Sequence, residues 1–136
     1  MYKKPTLAAV MTPFPYAVDV EAPVAEAETL MTQHDIRHLP VTREGRIAGV
    51  ISARDIADRD TRDWLVRDVF RPDPYVVDLA TPLEEVLGTM IARRIGSAIV
   101  MRHDRLAGIF TNVDVCRSYL ALLREVFPVP PGDAAA

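Results

Sequence analysis

The chain has 136 residues, 49% hydrophobic and 26% charged, with a net charge of −3 and a pI of 5.6. That allows one compact domain, or two small halves sharing a core, and is too apolar for a disordered chain. The acidic balance gives no global basic field for nucleic acid or an acidic membrane surface, and a single cysteine, Cys116, excludes an internal disulfide and fits a reducing compartment.

The opening MYKKPTLAAVMTP carries two lysines, but proline breaks its apolar segment too early for a secretory signal. No stretch reaches the ~18 apolar residues of a membrane span, so a cytoplasmic protein is expected. YAVDV (16–20) has the alternating, β-branched character of a strand. Pro23 then opens an amphipathic helix with Val24, Ala27, Leu30 and Met31 on one face. HLPVT and RIAGVI follow as two strands across the short polar turn REG, the length of a hairpin. GVISARD (49–55) ends the second strand and starts another helix. Asp58 to Asp68 reads as a connection, with Trp64 and Leu65 covering an edge. The series then recurs. YVVDL is a strand, Pro82 opens a helix burying Leu83, Val86, Leu87, Met90 and Ile91, and SAIVM and RLAGIF flank the turn RHD. GIFTNVD (108–114) leads into a last helix, where Cys116 takes a buried or half-buried place. FPVPPGDAAA (127–136) reads as a proline-rich, disordered tail.

The recurrence keeps one offset, 59 residues, from Gly49 to Gly108. It pairs Pro13 with Pro72, Pro15 with Pro74, Tyr16 with Tyr75, Asp19 with Asp78, Pro23 with Pro82, Met31 with Met90, Ile36 with Ile95 and Asp55 with Asp114. Identical turn and core residues at a constant offset point to internal duplication. Each copy reads β-α-β-β-α over about 50 residues, a unit that buries too little surface to be stable alone. The expected fold is α/β (α+β), with two repeats packed sheet against sheet about a pseudo-two-fold axis. Residues 1–62 hold the first copy and 63–126 the second.

Ser52 with Asp55, and Thr111 with Asp114, have the S/T-x-x-acid spacing of a capping box at a helix start. Capping boxes favour Glu or Gln at that position, yet both copies use the shorter Asp. Gly49 and Gly108 fit either a close backbone approach or a strand bulge. His34 and His38 are four apart, but the glutamate of a zinc-binding helix is missing and Leu39-Pro40 ends the helix, so no metal site is expected. No phosphate-cradling GxxxxGK[ST] loop and no GxSxG elbow occurs, and Glu84 and Glu85 point about 100° apart on a helix. No catalytic constellation is present, and an enzyme is not expected. Arg93, Arg94, Arg102 and Arg105 read as a solvated face.

IRHLPVTREGRIAGVISARD and IGSAIVMRHDRLAGIFTNVD, with the motifs in the same order twice, resemble a tandem pair of cystathionine-β-synthase (CBS) domains. The resemblance covers residues 6 to about 120. It implies a pair that dimerises into a flat disc, binds AMP, ADP, ATP or S-adenosylmethionine in clefts between copies, and regulates another protein. It places a ribose on each motif aspartate, which accepts two hydrogen bonds from vicinal hydroxyls, with a phosphate near the helix N-terminus. The first cleft would combine Ser52 and Asp55 with Thr81, Ile95 and Ser97, with Ile95 against the adenine and Arg37 and His38 facing phosphates. The second would combine Thr111 and Asp114 with Ala22, Ile36 and the surroundings of His38. It has Ala22 where the first has Thr81, and Gly96 and Ser97 where the first has Arg37 and His38, so it is less equipped for a charged nucleotide. Thr81 reads equally as an N-cap with Pro82 at N1 and Glu84 at N3. The expected function is a stand-alone regulatory module, a homodimer sensing an adenosine-type ligand for an unknown partner, with no other cofactor. The alternative is a ligand-free dimerisation or protein-interaction module. Nucleic-acid binding is a distant third.

Overall fold

The computed structural model describes residues 3–57 and 63–132. In chain order the elements are α1 (Leu7–Val10), β1 (Thr12–Pro13), β2 (Val18–Asp19), α2 (Val24–His34), β3 (His38–Arg43), β4 (Arg46–Ser52) and α3 (Ala53–Ala57). A 3-10 turn at Val66–Asp68 precedes β5 (Arg71–Pro72), β6 (Val76–Asp78), α4 (Leu83–Arg93), β7 (Ser97–Arg102), β8 (Arg105–Thr111) and α5 (Asn112–Val126). The β-α-β-β-α order thus occurs twice, as β2-α2-β3-β4-α3 and β6-α4-β7-β8-α5. Residues 58–62 of the expected connection, with the boundary between the two copies, and residues 133–136 of the expected tail lie outside the described residues.

The hairpins form where the sequence places them. The β3–β4 turn carries positive φ at Glu44 and Gly45 (53° and 77°), and the β7–β8 turn at His103 and Asp104 (49° and 62°). Two consecutive left-handed residues match the right-handed twist of the flanking strands. Each hairpin has one irregularity at the same place, between Val41 and Thr42 in the first and between Val100 and Met101 in the second. The α2 and α4 helices both stop at a left-handed residue, Asp35 (φ 51°) and Arg94 (φ 55°).

The two sheets are ordered β2-β3-β4-β5 and β1-β8-β7-β6. Strand β1, from the start of the chain, therefore completes the sheet of the second repeat, pairing Thr12 with Ile109 and Pro13 with Gly108. Strand β5, which precedes the second repeat, completes the sheet of the first, pairing Gly49 with Pro72 and Val50 with Arg71. The helical turns before these strands cross over too. Leu7 is buried in the core of the second repeat beside Val77, Val86 and Phe110. Val66, its equivalent at the 59-residue offset, is buried in the core of the first beside Leu39, Val41 and Ile51. Each repeat thus donates an arm to the other.

The arms explain the paired glycines. A Cβ at Gly49 would collide with the carbonyl oxygen of Arg71 and the ring of Phe70, and one at Gly108 with the carbonyl oxygen of Thr12. The close approach is that of the exchanged strand, beside a hairpin irregularity. Trp64 and Leu65 start the second arm. Val24 N–H donates to the Trp64 carbonyl at 2.9 Å and Val66 N–H to the Ala22 carbonyl at 2.8 Å, so this segment lies along the entry to α2.

Several expectations change. Strand YAVDV shortens to Val18–Asp19 and YVVDL to Val76–Asp78. Helix α4 is capped at Pro82 with no side-chain bond, so Thr81 is not its cap and Glu84 falls one position earlier than expected. Cys116 is exposed rather than half-buried. Ile91 is 77% exposed although it falls in the apolar pattern of α4.

Candidate functional site

A cleft of about 830 Å³ opens between the two repeats around Asp55. One wall comes from the first repeat and its acquired strand β5: Arg37, His38, Ser52, Arg54, Asp55 and Arg71. The facing wall comes from the second repeat and is largely apolar, with Tyr75, Leu87, Met90, Ile91 and Ile95, edged by Arg93 and Arg94. This explains Ile91, which belongs to an apolar surface that faces the cleft instead of the core. Arg93 lies over the Tyr75 ring at 5.1 Å, a cation–π contact at the rim. The volume and the pairing of an apolar wall with clustered polar groups are those of small-molecule sites.

Asp55 sits at the start of α3, and its carboxylate is only 9% exposed. Its Oδ2 accepts the Ser52 backbone N–H at 2.9 Å, and its own N–H donates to Ser52 Oγ at 3.2 Å, a reciprocal capping box built with Asp. Its Oδ1 accepts from Arg71 Nε at 3.0 Å. The first amide of α3, Ala53 N–H, is committed to the Arg37 carbonyl at 2.8 Å, which ties the strand entering at His38 to the helix start. Burial is the chief influence on the His38 imidazole and lowers its pKa from the ordinary 6.5. Asp55 opposes that shift, while Arg37, Arg54 and Arg71 add to it. His38 is therefore neutral at pH 7, a hydrogen-bonding group and not a charge.

The equivalent Asp114 is in a different state. Its side chain is 2% exposed. Thr12 Oγ1 donates to Oδ1 at 2.8 Å, Arg117 Nη1 to Oδ1 at 3.1 Å, and Thr111 N–H and Oγ1 to Oδ2 at 2.9 and 3.3 Å. Both motif aspartates are thus met by the arm of the other repeat, Asp55 by Arg71 and Asp114 by Thr12, residues that occupy equivalent positions.

Of the ten residues singled out in the sequence, six line the cleft: Arg37, His38, Ser52, Asp55, Ile95 and Ser97. Thr81, Ile36, Thr111 and Asp114 do not line it. Ile36 packs against the core of the first repeat, and Ala22 is buried behind the second arm, whose Val66 N–H its carbonyl accepts. Sequence reasoning missed Arg54, Arg71, Arg93, Arg94 and Tyr75. Arg93 and Arg94 read as solvated, yet the C-terminal end of α4 brings them to the cleft. Arg102 and Arg105, by contrast, flank the β7–β8 turn. His34 is surrounded by Phe14 and Tyr16 at ring distances of 5.2 and 5.8 Å, and among the described residues no group of three or more His, Cys, Asp or Glu could hold a metal. Among the described residues no helix is long and apolar enough to cross a membrane.

Comparison with known proteins agrees with this architecture. Hypoxic response protein 1 of Mycobacterium tuberculosis is 31% identical over 107 residues, covering 69% of this chain and 75% of that protein. An inosine-5'-monophosphate dehydrogenase of Korarchaeum cryptofilum is 30% identical over 99 residues, 72% of this chain but only 21% of that enzyme, so the chain spans about a fifth of it. A Vibrio cholerae protein named for acetoin utilization (AcuB) superimposes with a TM-score of 0.74 at 25% identity, covering 93% of this chain and 98% of that one. CBSX2 in complex with AMP superimposes at 0.69 and 26% identity, covering 88% and 98%. The CBS domain of a bacterial CNNM/CorC family Mg2+ transporter in complex with ATP does so at 0.70 and 27%, covering 85% and 87%. The CBS domain family model matches twice, at residues 7–61 and 66–121. The chain belongs to the CBS domain family, as a tandem pair.

Proposed function

We propose that the protein is a regulatory, non-catalytic module that binds an adenosine-type ligand in the cleft at Asp55 and reports its occupancy to another protein. The observation that carries this reading is the meeting of Ser52 and Asp55 from one repeat with Ile95 from the other across one cleft rimmed by arginines. A ribose diol would donate to the Asp55 carboxylate, the adenine would lie against Ile95 and Met90, and Arg37 with neutral His38 would meet phosphate oxygens. Structural relatives at 26% and 27% identity hold AMP and ATP, which supports the ligand class. We place the ligand at Asp55, which lines the cleft and accepts one donor on each oxygen, and not at Asp114, which does not line it and already accepts four. A ligand bridging the repeats shifts their arrangement only through unequal affinity for two arrangements.

The module is proposed to act in the cytoplasm as a homodimer. Helix α5 leaves Tyr119, Leu120, Leu123 and Phe127 exposed along one face, which a second copy would cover. The capping box at Ser52 and Asp55 favours a second reading, a ligand-free interaction module in which the motif only starts a helix.

Thermal unfolding with AMP, ADP, ATP, S-adenosylmethionine and NADH separates the two. A ligand at about 100 times its Kd adds about 2.7 kcal/mol, a shift of several degrees for a chain of this size. One or more of the adenosyl ligands should raise the midpoint, and Asp55→Ala should abolish that rise. A panel without effect would leave the interaction module as the better account.

A further inference from the structure

We infer that Arg71 sets the ligand preference of the Asp55 cleft, selecting phosphorylated adenosine compounds over unphosphorylated ones by exchanging partners when the ligand binds. The inference rests on the nucleotide reading above and names the residue that decides among its ligands.

Three observations carry it. Arg71 arrives from the exchanged strand β5, whose backbone is pinned to β4 through Val50–Arg71 and Gly49–Pro72. Its Cα cannot withdraw, but its side chain can turn, being 68% exposed against 9% for Asp55. Only its Nε donates to Asp55 among the described residues, at 3.0 Å, so the outer guanidinium donors of this cleft-lining residue are not committed to that carboxylate. Finally, Asp55 already has one donor on each oxygen, Ser52 N–H on Oδ2 and Arg71 on Oδ1. Each oxygen could accept a second donor, but only 9% of that side chain is exposed, so a ribose diol reaching the carboxylate competes with Arg71 for the room around it.

The outcome of that competition depends on the ligand's charge. With a phosphate in the cleft, the displaced guanidinium turns to a second, more highly charged acceptor and can bond it through two N–H groups at once. With adenosine or 5'-methylthioadenosine it loses its partner and gains none. S-adenosylmethionine would add a sulfonium to a cleft where Arg37, Arg54, Arg71, Arg93 and Arg94 face only Asp55 and Asp73. Arg71 thus favours one class of ligand and penalises the other, whereas a general excess of arginines would only favour the first. The second repeat shows the contrast. The residue equivalent to Arg71 is Thr12, a neutral hydroxyl, and the guanidinium that meets Asp114 comes instead from Arg117 on the repeat's own helix α5.

The test is isothermal titration of the full chain with AMP and with adenosine, for the native protein, Arg71→Met and Arg54→Met. Arg54 lines the same cleft without bonding Asp55 among the described residues, so it reports the general field. Loss of a charge-assisted bidentate contact should weaken AMP about tenfold in Arg71→Met, while release of Asp55 should strengthen adenosine about threefold. Arg54→Met should weaken AMP and leave adenosine unchanged. Equal weakening of both ligands by Arg71→Met, or an unchanged preference, would overturn the assignment while leaving the nucleotide reading intact. Native protein that binds neither AMP nor adenosine would overturn both. The thermal midpoint of ligand-free Arg71→Met, expected within a few degrees of native because exposed ion pairs contribute little, confirms that the variant is folded.

Discussion

Thr12 Oγ1 donates to Asp114 Oδ1 at 2.8 Å, joining residues 102 positions apart in the chain. Arg71 Nε reaches Asp55 Oδ1 at 3.0 Å from the equivalent place in the other arm. The first donor is a neutral hydroxyl on a carboxylate 2% exposed, and the second is a guanidinium 68% exposed on a carboxylate 9% exposed. At equivalent positions the same backbone frame thus presents a neutral donor on one side and a charged one on the other, with Asp114 taking its guanidinium from Arg117 of α5.

Stability should divide accordingly. Asp114→Ala removes the acceptor for Thr12, for the Thr111 N–H and hydroxyl and for Arg117, leaving donors unpaired at a buried site, which costs about 1–3 kcal/mol. Asp55→Ala loses half of a capping box and a partly exposed ion pair, about 1 kcal/mol or less. Urea denaturation of both variants checks the order, and equal losses would contradict it.

The glycines give a prediction of opposite signs. Gly49→Ala and Gly108→Ala each force a methyl group against the carbonyl of the crossing strand, and each should cost about 1–3 kcal/mol or more. Gly88, inside α4, has open space where a Cβ would stand, with nothing within 4 Å of it, so Gly88→Ala should stabilise by about 0.5–1 kcal/mol. The three variants in one denaturation series decide whether crossing, and not glycine content, is responsible.

His38 makes stability depend on pH. Burial lowers its folded-state pKa from 6.5, so below pH 6.5 the unfolded chain takes up a proton that the folded chain resists. Stability rises with pH wherever the unfolded state binds more protons. The His38 contribution is therefore complete above pH 6.5 and declines as the pH falls from 6.5 toward the lowered folded value. His38→Gln should remove that component of the stability–pH profile, and a variant that keeps the native slope below pH 6.5 would show that the imidazole is not its source.

The exposed face of α5 predicts self-association. Leu120 and Leu123 lie on adjacent turns with Tyr119 and Phe127. Leu123→Glu should shift the protein toward monomer in sedimentation velocity without lowering its thermal midpoint in dilute solution, since no packed core is disturbed. A native protein that stays monomeric across the concentration series would refute a dimer through this face.

The repeat frame and both hairpins were legible because they depend on local patterns: period-2 strands, turn residues and a capping spacing at a constant offset. That spacing also marked Ser52 and Asp55, whereas Arg37, His38, Ile95 and Ser97, which line the same cleft, were reached only through the family resemblance. The arms were not, because short segments such as Thr12–Pro13 and Arg71–Pro72 gain their structure from a partner in the other repeat. Their trace was present, since Leu7, Val10 and Met11 recur as Val66, Val69 and Phe70, each set packed in or against the core of the opposite repeat. Arg71 is likewise unremarkable in sequence, and only the crossing brings it to an aspartate 16 positions earlier. Ile91 misled for a related reason: helix periodicity marks apolar positions without telling a core from the wall of a cleft.

Exchange of arms also bears on how such a chain arose. In this chain each repeat places its leading segment on the sheet of the other and leaves its own sheet to be completed in return. Two separate copies trading these segments would reproduce both sheets and both cores. The chain has the form of a domain-swapped homodimer written in one polypeptide, and Arg71 and Thr12 are equivalent positions at which its two halves differ.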